Sequence, residues 1–241
     1  MAIIPQVNVS PKYLLQRAKF AAMAYDMKEE DIQAFGAVMG VTFAGAVKVA
    51  DGVAYVFNNL AEDVVVFTGT QLNNRRTIAE VFDDLDAGFL NLLDGAVHEG
   101  AFNSTKEMSS QIFNLCNTSV ITVIGHSLGA ARASLLPYFD LDNRIHEICQ
   151  FAPFRTASAK FWFNLNSKVQ YDNIIVINGN DPVPEWPFLN PSLLISSLKY
   201  LWLDNGKLLS YSGSRPGWNY TGWNDHKIEE YTAKLTTLAG E

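Results

Sequence analysis

Short runs of β-branched and apolar residues alternate along the chain with stretches whose apolar positions recur every three or four residues. In residues 11–25, Leu14, Leu15, Ala18, Ala21, Ala22 and Tyr25 share a face, Ser10 stands at a capping position and Pro11 suits a first turn, which predicts a helix. Residues 38–49 and 53–58 predict strands parted by an Asp51-Gly52 turn, and Val64-Val65-Val66-Phe67 is the unbroken run of a strand covered on both faces. Residues 77–93 are amphipathic, with Ile78, Val81, Phe82, Leu85, Phe89, Leu92 and Leu93 on one side. Glu80, Asp83, Asp84 and Asp86 lie mostly opposite, as a solvated face and not a metal site. Helices are predicted over 104–114, 130–136 and 225–238, strands over 119–124, 145–151 and 173–178, and a hairpin over 201–211 around Asp204-Asn205-Gly206. This alternation predicts an α/β fold with a mostly parallel central sheet and helices on both faces. No repeat, low-complexity tract or Pro/Ser linker interrupts it, so residues 1–241 are expected to form one domain.

Composition narrows the function classes. A formal net charge of −7 argues against nucleic acid, whose binding requires Lys and Arg to neutralise phosphates, and against simple attraction to an anionic membrane. No stretch approaches the roughly 20 apolar residues of a membrane span, and Gly36 to Val47, the nearest candidate, is better explained as buried strand. Met1-Ala2-Ile3-Ile4-Pro5 has neither a basic n-region nor an apolar h-region, so no secretory signal is expected and the cytoplasm is the default compartment. The two cysteines, Cys116 and Cys149, fit reduced core thiols. No H-E-x-x-H, paired C-x-x-C or phosphate loop occurs, so no metal or organic cofactor is implied.

The informative chemistry lies at Gly125-His126-Ser127-Leu128-Gly129, between the 119–124 strand and a helix of small residues. Strand, G-x-S-x-G and helix in this order are the sequence form of a nucleophile elbow, which presents a serine hydroxyl on a sharp turn. A serine needs a base to take its proton and a carboxylate to hold that base, and α/β-hydrolases order them serine, acid, histidine. Of four histidines, His98 and His126 precede Ser127 and His146 follows too soon, which leaves His226. The acid belongs just beyond a strand, where Asp181 follows the 173–178 strand and precedes Pro182; Asp140, Asp142, Asp172, Asp204 and Asp225 are worse placed. The developing oxyanion needs two preorganised donors. The N–H of Leu128 is one, and Thr70, in the loop that ends the Val64–Phe67 run, is the candidate for the other.

Five segments then coincide in order: Val65-Val66-Phe67-Thr68-Gly69-Thr70, Val97-His98-Glu99-Gly100-Ala101-Phe102, Gly125 to Gly129, Asp181-Pro182-Val183-Pro184 and Asp225-His226. With them the chain resembles the class 3, fungal-type lipases of the α/β-hydrolase superfamily from about Tyr25 to Tyr231. The resemblance implies a Ser127, Asp181 and His226 triad, an oxyanion residue at Thr70 and a structural His98. It also places a candidate lid over residues 71–84. Thr68 stands where the family usually has arginine, and the Asn-Trp pair usual ahead of Asp84-Leu85 is absent. The expected activity is hydrolysis of lipid acyl esters through an acyl-enzyme, with an ester or lipid substrate and transient contact with a lipid interface. Phospholipase A1, a feruloyl-type small-ester esterase and an acyltransferase use the same chemistry. A catalytically silent lipid- or partner-binding module on the same fold is the alternative of another class, and retention of all three triad residue types speaks against it.

Overall fold

A computed structural model describes residues 9–69, 88–186, 193–197, 199–204, 207–212 and 222–241. Candidate oxyanion residue Thr70, candidate lid 71–84 and the 77–87 part of the amphipathic stretch lie outside the described residues.

Helix α1 (Pro11–Asp26) begins as its cap predicts, with the Tyr13 N–H donating to the Ser10 hydroxyl. A second helix, α2 (Glu29–Met39), occupies ground that the sequence pattern gave partly to a strand from 38. Its core anchor is Ile32, while Val38 is 85% exposed, and Gly40 at φ 75° ends it with its N–H turned back onto Ala37 and Gly36 carbonyls. Strand β1 (Thr42–Val49) therefore starts only after this glycine and pairs antiparallel with β2 (Gly52–Asn58). The hairpin turns on Ala50-Asp51, one residue earlier than predicted, because Val49 pairs with Gly52.

The centre of the sheet matches the sequence pattern closely. Strands β3 (Asp63–Phe67), β6 (Ile121–His126), β7 (Ile145–Phe151), β9 (Asp172–Asn178) and β11 (Lys199–Asp204) are mutually parallel neighbours in that order. Antiparallel β2 and β1 extend one end, and β12 (Lys207–Ser212) closes the other as a hairpin with β11. The result is an eight-stranded, mostly parallel sheet among the described residues. Alternate side chains of β3 feed two cores. Val64 and Val66 pack with Leu14 and Ala18 of α1 and with Ile228 and Leu235 of the last helix, α6 (Ile228–Ala239). Val65 and Phe67 pack with Met108 and Ile112 of α3 (Glu99–Leu115) and with Ala133 of α4 (Leu128–Leu135). Both faces are thus covered, as the continuous apolar runs demand. Cys116 and Cys149 are free and buried in these two cores.

One prediction is corrected here. Residues Phe89–Leu92, read as the end of an amphipathic helix, form strand β4, paired with β5 (Gly95–His98) in a small antiparallel sheet with β8 (Ala157–Ser158) and β10 (Leu193–Leu194). Gly88 and Gly95 both have positive φ, 52° and 133°, and the bends they permit displace the helix. Helix α5 (Ala159–Lys168) packs on this sheet through Phe161. His98 caps α3, its Nδ1 accepting the Ala101 N–H at 3.2 Å, so that helix starts five residues before its predicted origin at 104. No helix among the described residues is long and apolar enough to cross a membrane.

Candidate active site

Parallel strands deliver their loops to one edge of the sheet, and the predicted elbow stands there after β6. Ser127 has φ 57° and ψ −123°, a strained conformation for a residue with a side chain. The flanking glycines are needed for contact and not for φ. A Cβ on Gly125 would lie 2.2 Å from the Gly129 carbonyl oxygen, and one on Gly129 would lie 2.4 Å from that of Phe67. Spacing of two residues on either side of the serine thus follows from strand and helix backbones passing at contact distance.

Asp181 leaves β9 on the same edge, and His226 ends a short 3-10 turn, Trp223–His226, ahead of α6. The serine hydroxyl donates to His226 Nε2 at 3.1 Å, and His226 Nδ1–H donates to the two Asp181 oxygens, each at 3.1 Å. An ionised carboxylate only accepts, which fixes Nδ1 as the protonated nitrogen and leaves Nε2 free to take a proton. Asp181, fully buried, also accepts from the Tyr231 hydroxyl at 2.7 Å and the Val183 N–H at 2.9 Å. Burial opposes its ionisation, but His226 and these donors outweigh it and hold the carboxyl below the usual carboxylate range. The structure therefore brings Ser127, His226 and Asp181 into one hydrogen-bonded line. Leu128, whose N–H is the expected oxyanion donor, opens α4, where first-turn N–H groups have no intrahelical acceptor.

The remaining candidates separate from this line. His98 caps α3 and packs edge-on to Phe154, and His146 is exposed on β7. Asp140 accepts the Ile145 N–H, and Asp172 starts β9 at the far edge. Asp225 braces the acid loop: it accepts the Asn180 N–H at 2.9 Å, and its own carbonyl takes a hydrogen bond from the Asn178 side chain.

A family model described as Lipase (class 3) matches residues 64–190, more than half of the chain. The chain belongs to the class 3 lipase family. As a member it is a lipase-type carboxylic ester hydrolase with the α/β-hydrolase fold. No curated protein matches the sequence. Among solved structures it is similar to the lipase from Rhizopus microsporus var. chinensis, with a TM-score of 0.69 at 16% identity over 92% of this chain and 85% of that one. The triacylglyceride lipase of Rhizomucor miehei gives 0.69 at 16% over 89% and 92%. A fungal lipase bound to an inhibitor, described as a model for interfacial activation, gives 0.69 at 17% over 94% and 97%. At such identities the likeness is one of fold.

This class 3 lipase also holds its site with residues that sequence patterning did not single out. His126, next to the serine, donates through Nε2 to the His226 carbonyl at 2.7 Å and accepts at Nδ1 from the Tyr25 hydroxyl at 2.7 Å. A carbonyl can only accept, so the tautomer follows from the bond. Tyr25 also explains Gly69: a Cβ there would lie 1.8 Å from the tyrosine oxygen, so this glycine makes room and does not serve a left-handed bend. One signal was available in the sequence, since Tyr25 ends the apolar face of α1 with a polar tip.

Burial, reinforced by His226, pushes His126 down to about 3 from an ordinary 6.5. Between those values the unfolded chain binds a proton that the folded chain refuses. This contribution to stability is complete above about 6.5 and is lost toward pH 3, by up to about 1.4 kcal/mol per pH unit. Asp181 acts in the same direction, below its ordinary 3.8. Urea unfolding at pH 7 and pH 5 is expected to differ by about 2 kcal/mol through His126, and His126→Gln is expected to remove that difference. An undiminished loss in the variant would assign the dependence to other groups.

Proposed function

We propose that Ser127 is the nucleophile, His226 the general base and acid, and Asp181 the orienting acid in hydrolysis of acyl esters of lipids. The observation that carries this is the Ser127–His226–Asp181 line at the strand ends. Ser127 Oγ attacks the ester carbonyl as its proton passes to His226 Nε2, and the imidazolium is stabilised by Asp181. The tetrahedral oxyanion forms beside the N–H of Leu128, with Thr70 as the second donor. His226 then protonates the departing alcohol, leaving an acyl group on Ser127, and water activated by the same nitrogen releases the acid. None of these steps calls for a metal or cofactor.

Lipid substrates reach such a site from an aggregate, and we propose transient contact with that interface, with residues 71–84 as the segment that covers the site in water. Likeness in fold to a lipase described as a model for interfacial activation supports this part. The test uses p-nitrophenyl esters of graded chain length, a triglyceride emulsion and a phospholipid. Hydrolysis is expected, with a jump in rate as a short-chain ester passes its solubility limit. A smooth saturating curve would remove the interfacial part, and a folded protein that cleaves none of the panel would remove the catalytic one.

A further inference from the structure

Arg132 is the largest fully buried side chain among the described residues, 1% exposed, and no carboxylate pairs with its guanidinium there. Asp51 acts on it electrostatically without a direct ion pair, and a charge buried in this way is costly and persists where other constraints hold it. Its donors reach three different elements. Nε donates to Ser104 Oγ of α3 at 3.0 Å, Nη1 to the Thr68 carbonyl at 3.1 Å and Nη2 to the Asp51 carbonyl in the β1–β2 turn at 2.5 Å. The chain makes room for it: a Cβ on Gly52 would lie 2.5 Å from Nη1. This explains the glycine that patterning had assigned to the turn itself.

The placement matters for the reaction. Arg132 stands one helical turn beyond Leu128 on α4, and Thr68 stands two residues before Thr70. The guanidinium therefore links the helix that carries one expected oxyanion donor to the loop that leads to the other. A planar fork with five donors on three nitrogens reaches acceptors set apart on three elements, whereas an ammonium offers its three donors from a single nitrogen. Thr68, in the place usually held by arginine, is tied to the neighbouring strand: its hydroxyl accepts the Val53 N–H at 3.1 Å, and its N–H donates to the Val53 carbonyl.

We propose that Arg132 is a positioning residue for the oxyanion hole, fixing the Thr68 carbonyl to the elbow helix that carries the Leu128 N–H. The proposal rests on the catalytic assignment above. Its effect falls on charge that appears only in the transition state, so it is read in kcat and not in KM.

Two variants test it with p-nitrophenyl butyrate, well below the melting temperature of each. Arg132→Lys keeps the charge and loses the fork. Gly52→Ala keeps the arginine but sets a methyl group against the end of its side chain, displacing it from the β1–β2 turn. Both are expected to lower kcat about 10-fold to 100-fold with KM within threefold. Affinity for an alkylboronic acid, whose tetrahedral adduct places an oxygen in the hole, is expected to fall in proportion. Should Arg132→Lys not fold, Gly52→Ala decides alone. An active wild type whose folded variants keep kcat within twofold, or lose it with boronic acid affinity unchanged, overturns the role of Arg132. An inactive wild type instead overturns the catalytic assignment.

Discussion

Replacing Asp181 with asparagine is expected to lower kcat by about four orders of magnitude, the scale of that change in a serine-protease triad, while the protein stays folded. The Val183 N–H donates to Oδ1, so an amide at this position keeps its oxygen there and turns its NH2 toward the Oδ2 site. At that site the Tyr231 hydroxyl and His226 Nδ1–H both donate in the native protein. The Tyr231 hydroxyl can turn to accept from the NH2, but Nδ1–H then faces a donor on one side and only one acceptor on the other, which biases the imidazole toward carrying its proton on Nε2. In that tautomer it cannot accept from Ser127. Loss of the negative charge also removes what stabilises the imidazolium. Turnover of p-nitrophenyl butyrate, with circular dichroism as the control for folding, checks the expectation. Near-normal turnover in Asp181→Asn alongside an inactive Asp225→Asn or Asp204→Asn would move the acid elsewhere.

Ser127→Ala is expected to have the larger effect, about 10⁶-fold in kcat, because removal of a nucleophile in such a triad abolishes the covalent route altogether. A fluorophosphonate probe reads the same event directly: Ser127 Oγ bonds to phosphorus as fluoride leaves, and the variant is expected to remain unlabelled. Labelling of the variant at the native rate would place the nucleophile on another side chain. Native protein that is folded but takes no label would favour a binding module on this fold.

The parts of the molecule legible in sequence are those that local chemistry decides. Strand β3 is buried on both faces, so it is written as a continuous apolar run with defined ends. The elbow is equally plain, since Gly125 and Gly129 answer to backbone contacts within one strand–turn–helix unit. His226 could be reached by elimination because the chain has only four histidines. Helix α2 was obscured because Gly36 and the exposed Val38 sit in a window that shares its apolar residues with β1. Strand β4 was obscured because four residues are too few to separate a period of 2 from one of 3.6. Tyr25, Tyr231 and Arg132 have ordinary patterns for helices, and their parts in the site come from acceptors that the fold supplies from far along the chain.

The clamp around His126 sets a timetable for folding. Its bonds to Tyr25 and to the His226 carbonyl span 101 and 100 residues, and the Ser127–His226 bond spans 99. Contacts so distant along the chain form only after a large loss of loop entropy, whereas the β3–β6–β7 centre closes shorter loops. A chain with that centre built and its two flanking helices, α1 and α6, not yet docked would hold Ser127 apart from His226. If the proposed triad acts, ester cleavage is therefore expected to appear only as those helices dock, which refolding followed in parallel by circular dichroism and by ester turnover would check.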